Sequence, residues 1–353
     1  MSDQILRTDF VVPSLKNTFR RHEGIDFIKL FASFWVILQH ASGMGQTHTQ
    51  TSLGICVNYF IQAVPFFFLA SFFLQSTLML QKYITRLSNY IIPFVAWSII
   101  YTIARYLKSR HLDNDLISNL LSGNSIHLYF LPMLIWGLFI YSIINKYLNN
   151  TSLVKLWIFF VISLILRGIM VGFHCEFDLS TMTAFIGWRG VEQPAAQRLA
   201  LIVLAWSLTL LPYMLAAKIL LRHNPVSFHS FRFRWILISL AFVLLILLRV
   251  LSIAREQLDP FIAVLLLSTA FAIGPRINSS AIRRILPFSF GIYLCHFVFI
   301  ELARIFLHHA QSATSMTVLL MAFFTLACSI LLCLVVSKIK LPILHQIFGI
   351  RGT

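Results

Sequence analysis

The sequence predicts an all-α fold: a polytopic transmembrane helix bundle of about ten spans with both termini cytoplasmic. Three observations predict it. Of 353 residues, 58% are hydrophobic and 11% charged, with a mean hydropathy of +0.82, whereas a soluble domain carries about 25% charged residues. The apolar residues come in runs of about 17–25, the length a helix needs to cross a bilayer. Lys and Arg gather at alternate gaps between the runs, the asymmetry that marks cytoplasmic loops. The net charge of +16 would point to nucleic acid in a soluble chain. Here no basic domain outside the membrane is expected to hold one. The positive groups read instead as topology signals and as contacts to lipid headgroups or phosphates.

Taken in order, the spans fall at about 25–43, 57–80, 90–107, 127–145, 153–172, 199–221, 232–253, 257–274, 285–307 and 314–337. Residues 1–23 form a polar, basic cytoplasmic tail. No small-residue cleavage site follows the first apolar run, so that run is read as a retained helix. Residues 24–340 form one transmembrane domain and 341–353 a second cytoplasmic tail. With the N-terminus inside, Arg20 and Arg21, Lys82 and Arg86, Lys146 and Lys155, Lys218 to Arg234, Arg276 to Arg284, and Lys338 and Lys340 all fall on the inner side. The seventh and eighth spans are joined so tightly that they are open to misdivision. His174 to Arg198 is the longest outer segment; it is amphipathic in part and is expected to lie along the surface. The five cysteines (Cys56, Cys175, Cys295, Cys328, Cys333) lack metal-ligand spacing. Three lie in apolar runs as packing residues, and Cys56 and Cys175 stand on the outer side without being required to pair.

The first span organises the chemistry. Gly24 to Gly43 is an apolar stretch long enough to cross a membrane, yet it carries Asp26, Lys29, Ser33 and His40. Eleven residues amount to about three turns, so Lys29 and His40 share one helical face about 16 Å apart. Asp26 and Ser33 lie on the same stripe. Ionisable groups at membrane depth cost several kcal/mol unless they face a bundle interior or a wet cavity, which makes this stripe a candidate groove. The alternative puts Asp26 and Lys29 at the headgroups with His40 at the far end. A histidine can accept a hydroxyl proton near neutral pH, and a lysine beside it can hold an anion.

Four later segments add to this. In Pro65 to Phe73, Pro65 is expected to bend the second span, and Ser71 either bonds back to its own helix or faces a ligand. Lys82 and Arg86, four apart before Pro93, read either as a positive-inside anchor or as a phosphate site. His127 and Tyr129 open a span at the outer face, as acceptor-site residues or as part of an aromatic belt. Tyr293 and His296 stand in the ninth span, with Glu301 and Arg304 beyond, spaced to pair with each other.

In this order the segments resemble the acyltransferase-3 family of integral membrane acyltransferases. Its opening pattern D-x-x-R/K-x10-H is matched by Asp26, Lys29 and His40. Its P-x-F-F-x-x-S-G-F is matched by Pro65 to Phe73, and its basic helix end running to a proline by Lys82, Arg86 and Pro93. H-L-W-F-L is similar to His127 to Leu131, and Y-L-x-H to Tyr293 to His296. The chain departs at Lys29, where arginine is commoner and the bidentate geometry is lost. It departs at Phe72, where a glycine would permit close backbone approach, and at Tyr129 in place of tryptophan.

The resemblance implies a multi-pass protein of the bacterial cytoplasmic (inner) membrane. It would move an acyl group, usually acetyl, from cytoplasmic acetyl-CoA to a sugar hydroxyl of a lipid-linked or surface glycan of exopolysaccharide or lipopolysaccharide type. His40 would be the general base, with Lys29 and Asp26 beside it orienting the donor. Lys82, Arg86 and Ser71 would hold the CoA, and His127, Tyr129, Tyr293 and His296 would face the substrate. Acetyl-CoA would be a substrate rather than a resident cofactor, with no metal, and the partners would be acyl-CoA, the glycan acceptor and membrane lipids, with no nucleic acid. The competing reading from the same charged interior is a transporter or flippase for a glycan or lipid-linked intermediate. Matched half-repeats, common in transporters, are absent from the sequence.

Overall fold

A computed structural model describes residues 23–43, 53, 57, 63–75, 81–109, 125, 127–172, 195–223, 232–251, 257–274, 277, 279–306 and 314–350. Every regular element among them is helical. In chain order they are α1 (Glu23–Gly43), α2 (Ala63–Gln75), α3 (Gln81–Ser109), α4 (Phe130–Asn150), α5 (Leu153–Gly172), α6 (Ala195–Arg222), α7 (Arg232–Val250), α8 (Asp259–Ile273), α9 (Ser280–Ile285), α10 (Ser289–Phe306), α11 (Ser315–Lys338) and α12 (Pro342–Ile347). A short 3-10 turn, Leu286–Phe288, joins α9 to α10.

Six helical stretches among the described residues are long and apolar enough to cross a membrane: Leu87–Leu107, Phe130–Asn150, Leu153–Met170, Leu199–Arg222, Ser280–Phe306 and Ser315–Lys338. Ala63–Gln75, Ser239–Leu248 and Asp259–Ile273 are apolar but shorter. The tightly joined seventh and eighth spans prove to be two separate helices, α7 and α8. The outer faces are what a hydrocarbon solvent selects. On α5, Val154, Trp157, Ile158, Ile165 and Ile169 are exposed, and on α3, Val95, Ile99, Ile103 and Leu107. A water-soluble monomer does not show apolar patches of that extent.

α2 is the axis of the bundle. All but two of its residues are buried, and it packs on α1, α4, α6 and α8. Lipid tails are as apolar as a helix surface, so the helices are held by close packing rather than by exclusion of water. The phenylalanines supply that packing: Phe67 and Phe68 meet Phe130, Phe68 meets Tyr213, and Phe73 meets Phe271. Phe72 is fully buried against Tyr141. The space it fills is made by the opposite helix, because a Cβ on Gly137 of α4 would stand 2.9 Å from its ring. The bulk that the sequence places in α2 is thus accommodated by a glycine in α4. Pro65 stands two residues after the start of α2, and the residues that precede Ala63, where the expected bend falls, lie outside the described residues.

α1 runs between this core and a second one. It packs on α8, α10, α11 and α2. At its start it meets the end of α8 almost backbone to backbone. A Cβ on Gly24 would overlap the Ala270 carbonyl oxygen and stand 2.9 Å from the Gly274 Cα. The same end carries an ion pair, Glu23 to Arg283 at 3.2 Å, in which Arg283 also donates to the Ile277 carbonyl. Beyond α11, α12 folds back onto the bundle: Trp97 Nε1 of α3 donates to the Ile347 carbonyl at 3.0 Å. Cys295 and Cys333 are buried free thiols, and Cys328 is half-buried. Cys56, Cys175 and the segment 174–194 lie outside the described residues.

Candidate active site

Two ties set the register of α1 against α10. The single Ser33 hydroxyl proton is shared between the Lys29 carbonyl, one turn back, and the Ser289 carbonyl across on α10, each 2.9 Å from Oγ. Seven residues further along each helix, about 10 Å, the His40 and His296 rings lie 5.4 Å apart. α3 runs in the same direction and touches α10. Tyr90 packs on Phe290, and Tyr101 donates its hydroxyl to the Leu294 carbonyl at 2.8 Å. Lys29, and the basic start of α3 that carries Lys82 and Arg86, therefore stand at one end of the bundle. His40 stands about three turns further along α1, and Tyr101 about four to five turns further along α3, near His296. The side chains of Lys82 and Arg86 lie outside the described residues.

The turn that leads into α4 brings His127 into the gap between α1, α3 and α10. Its ring centroid is 4.8 Å from that of His296 and 6.3 Å from that of His40. Phe297 stacks on it at 5.1 Å, and Tyr101 meets it edge-on at 4.9 Å. The Tyr293 hydroxyl donates to its carbonyl. Three histidines distant in sequence thus pack into one cluster. Tyr129 is half-buried beside them, and Tyr293 is buried.

The hydrogen bonds assign the ring nitrogens. A carbonyl oxygen can only accept, so each nitrogen that faces one carries the proton. His296 Nδ1 lies 2.6 Å from the Tyr293 carbonyl and donates to it. Its Nε2 is then a bare lone pair, and among the described residues it has no partner, although the side chain is fully buried. Such an atom costs about 1–3 kcal/mol until a donor reaches it. His127 Nε2 faces the Leu294 carbonyl at 3.4 Å, and its Nδ1 accepts from the Ser125 hydroxyl at 2.7 Å. His40 is the half-buried member of the trio.

The structure thus brings His40, His127, His296, Tyr129 and Tyr293 to one level of the bundle, and places Lys29 and Asp26 on the same face of α1 below. Ser33, read from sequence as part of the polar stripe, is a fully bonded tie to α10 instead. Ser71 is buried in α2, one turn after Phe67 on the same face, and Phe67 packs on Tyr293. Glu301 and Arg304 pair at 3.0 Å, as their spacing predicts. Tyr101, Phe297 and Ser125 escaped the sequence reading. A tyrosine and a phenylalanine in apolar spans carry no periodic signal, and Ser125 is marked only by standing two residues before His127. A second buried polar group was also missed. Arg167 of α5 lies 3.7 Å from Asp259 of α8 and donates to the Tyr213 hydroxyl at 3.2 Å. Among the described residues no cluster of histidine, cysteine or carboxylate groups has the geometry of a metal site.

Residues 22–337 match the model of the acyltransferase-3 family, described as an acyltransferase domain. No curated protein and no solved structure matches the chain. The match covers nearly the whole chain and contains all three clustered histidines, so the chain belongs to the acyltransferase-3 family, and is a membrane acyltransferase.

Proposed function

We propose that this acyltransferase moves acetyl from cytoplasmic acetyl-CoA to a hydroxyl of a surface or lipid-linked glycan, in a bundle of about ten spans whose two termini face the cytoplasm of a bacterial inner membrane. The observation that carries the proposal is the convergence of His40, His127 and His296 about three turns above Lys29 on α1 and further still above the basic start of α3. Acetyl-CoA is anionic at its nucleotide end and reactive at the far end of a long arm. A site with basic groups at one end and proton-accepting groups at the other matches that shape. Lys29, Lys82 and Arg86 hold the phosphates at the inner mouth, with Asp26 keeping Lys29 in place and Ser71 lining the passage. The acyl carbonyl reaches the histidines. His40, half-buried and thus reachable, takes the proton of the acceptor hydroxyl, and the departing CoA sulfur takes up a proton. Tyr129, Tyr293 and His296 shape the acceptor side, where the bare His296 nitrogen can receive an O–H donor.

The test is the O-acetyl content of surface glycans, by NMR, in a null strain complemented with wild type, Lys29→Ala or His40→Ala at matched protein levels. Acetyl signal restored by wild type alone supports the proposal and identifies the acceptor sugar. Glycan that is fully acetylated without the protein but fails to reach the surface would refute it in favour of a flippase.

A further inference from the structure

The His127 turn holds an arrangement that the base-catalysed reading does not use. The Ser125 hydroxyl donates to His127 Nδ1 at 2.7 Å, and His127 Nε2 faces the Leu294 carbonyl at 3.4 Å. The carbonyl fixes the tautomer, so the nitrogen that faces the serine is the one with a free lone pair. A hydroxyl on a base, with the base oriented by a third group, is the arrangement of an activated nucleophile. Closing the turn does not require it, because the backbone already does so through Leu128 N to the Ser125 carbonyl at 2.9 Å. The imidazole is held from several directions at once. Phe297 stacks on it, Tyr101 and His296 pack edge-on to it, and the Tyr293 hydroxyl ties its backbone. The dyad stands beside His40, at the level where the acyl carbonyl is expected.

We propose that Ser125 is a nucleophile that carries the acyl group between donor and acceptor as an ester. This rests on the acyl-CoA reading above. In the first half, Ser125 Oγ attacks the thioester carbonyl as His127 Nδ1 takes the serine proton. The carbon–sulfur bond breaks, and the CoA sulfur leaves with that proton as the free thiol. In the second half, the acceptor hydroxyl gives its proton to His40 and attacks the Ser125 ester. The ester carbon–oxygen bond breaks, and the proton ends on Ser125 Oγ, which restores the starting enzyme. Donor and acceptor then need not occupy the site together, which suits a reaction whose two substrates approach from opposite sides of a membrane.

The experiment incubates the full-length protein in detergent with isotope-labelled acetyl-CoA and no acceptor, quenches in acid, and maps the label by peptide mass spectrometry. The expected result is close to one acetyl per chain on the peptide that holds Ser125, with release of an equal amount of CoA. Ser125→Ala is expected to lose the label while keeping the thermal midpoint. Ser125→Cys should carry it as a thioester that hydroxylamine removes. The same variants in null cells report turnover, and Ser125→Ala should lower glycan O-acetyl by at least 100-fold. The inference is overturned if Ser125→Ala acetylates glycan at the wild-type rate, or if the label sits on another residue. If the wild-type protein neither releases CoA nor acetylates glycan, the donor reading fails and the acyl-serine with it.

Discussion

Gly24→Ala tests whether the approach of α1 to α8 sets the site. A Cβ at position 24 would stand 2.8 Å from the Ala270 carbonyl carbon and 2.9 Å from the Gly274 Cα, besides overlapping the Ala270 oxygen. All three are backbone atoms, so no side chain can swing aside. Restoring ordinary contact near 3.4 Å to all three atoms requires the start of α1 to withdraw from α8 by about 1.5 Å, and overpacking of this kind costs about 1–3 kcal/mol. That corresponds to a fall of about 2–6 °C in thermal midpoint. The displaced helix carries Lys29 and His40, so acyl transfer should fall as well, because a shift near 1 Å in a catalytic group can cost about 100-fold in rate. Gly168→Ala is the control: its nearest neighbour is the end of the Gln257 side chain at 3.4 Å, which can move. The assay is a thermal melt of both variants in detergent, paired with glycan O-acetyl content in null cells. Gly24→Ala with the wild-type midpoint and full acetylation would refute the reasoning.

Three other outcomes are expected. His40→Ala should insert and melt like wild type while slowing transfer by about 10²–10⁴, the usual worth of a general base; loss of membrane insertion would make His40 a structural residue. Lys29→Arg should keep stabilisation by acetyl-CoA, whereas Lys29→Ala should weaken it about 10–100-fold, the worth of one charge-assisted hydrogen bond; titrated melts decide this. Asp259→Asn should destabilise by about 3–5 kcal/mol because it removes the buried carboxylate charge that faces Arg167. The double variant with Arg167→Met should recover more than half of that loss in the same melts, and simple additivity would show that the two groups do not act as a pair.

Much of the fold was legible because membrane insertion is written in composition. Apolar runs and helical spacing survive in one dimension, and the helices fall where those runs do. The stripe Asp26, Lys29 and His40 was legible for the same reason, since helical periodicity puts residues eleven apart on one face whatever surrounds them. The pairing of Glu301 with Arg304 is local in the same sense.

What the tertiary structure decided lies between helices. Nothing in the spacing of residues 40, 127 and 296 brings them together. The ties Ser33 to Ser289 and Tyr101 to Leu294 set the registers of α1 and α3 against α10, and those registers bring the three rings together. The room for Phe72 is likewise found in Gly137 on another helix, so its misfit with the family pattern is resolved across the interface. The assignments of bare and protonated ring nitrogens depend on which carbonyl each meets, a fact of packing. Helical propensity and hydropathy are properties of a segment and can be read from it. Register between segments depends on steric fit and hydrogen bonds across long sequence separations, and those exist only once the bundle has closed.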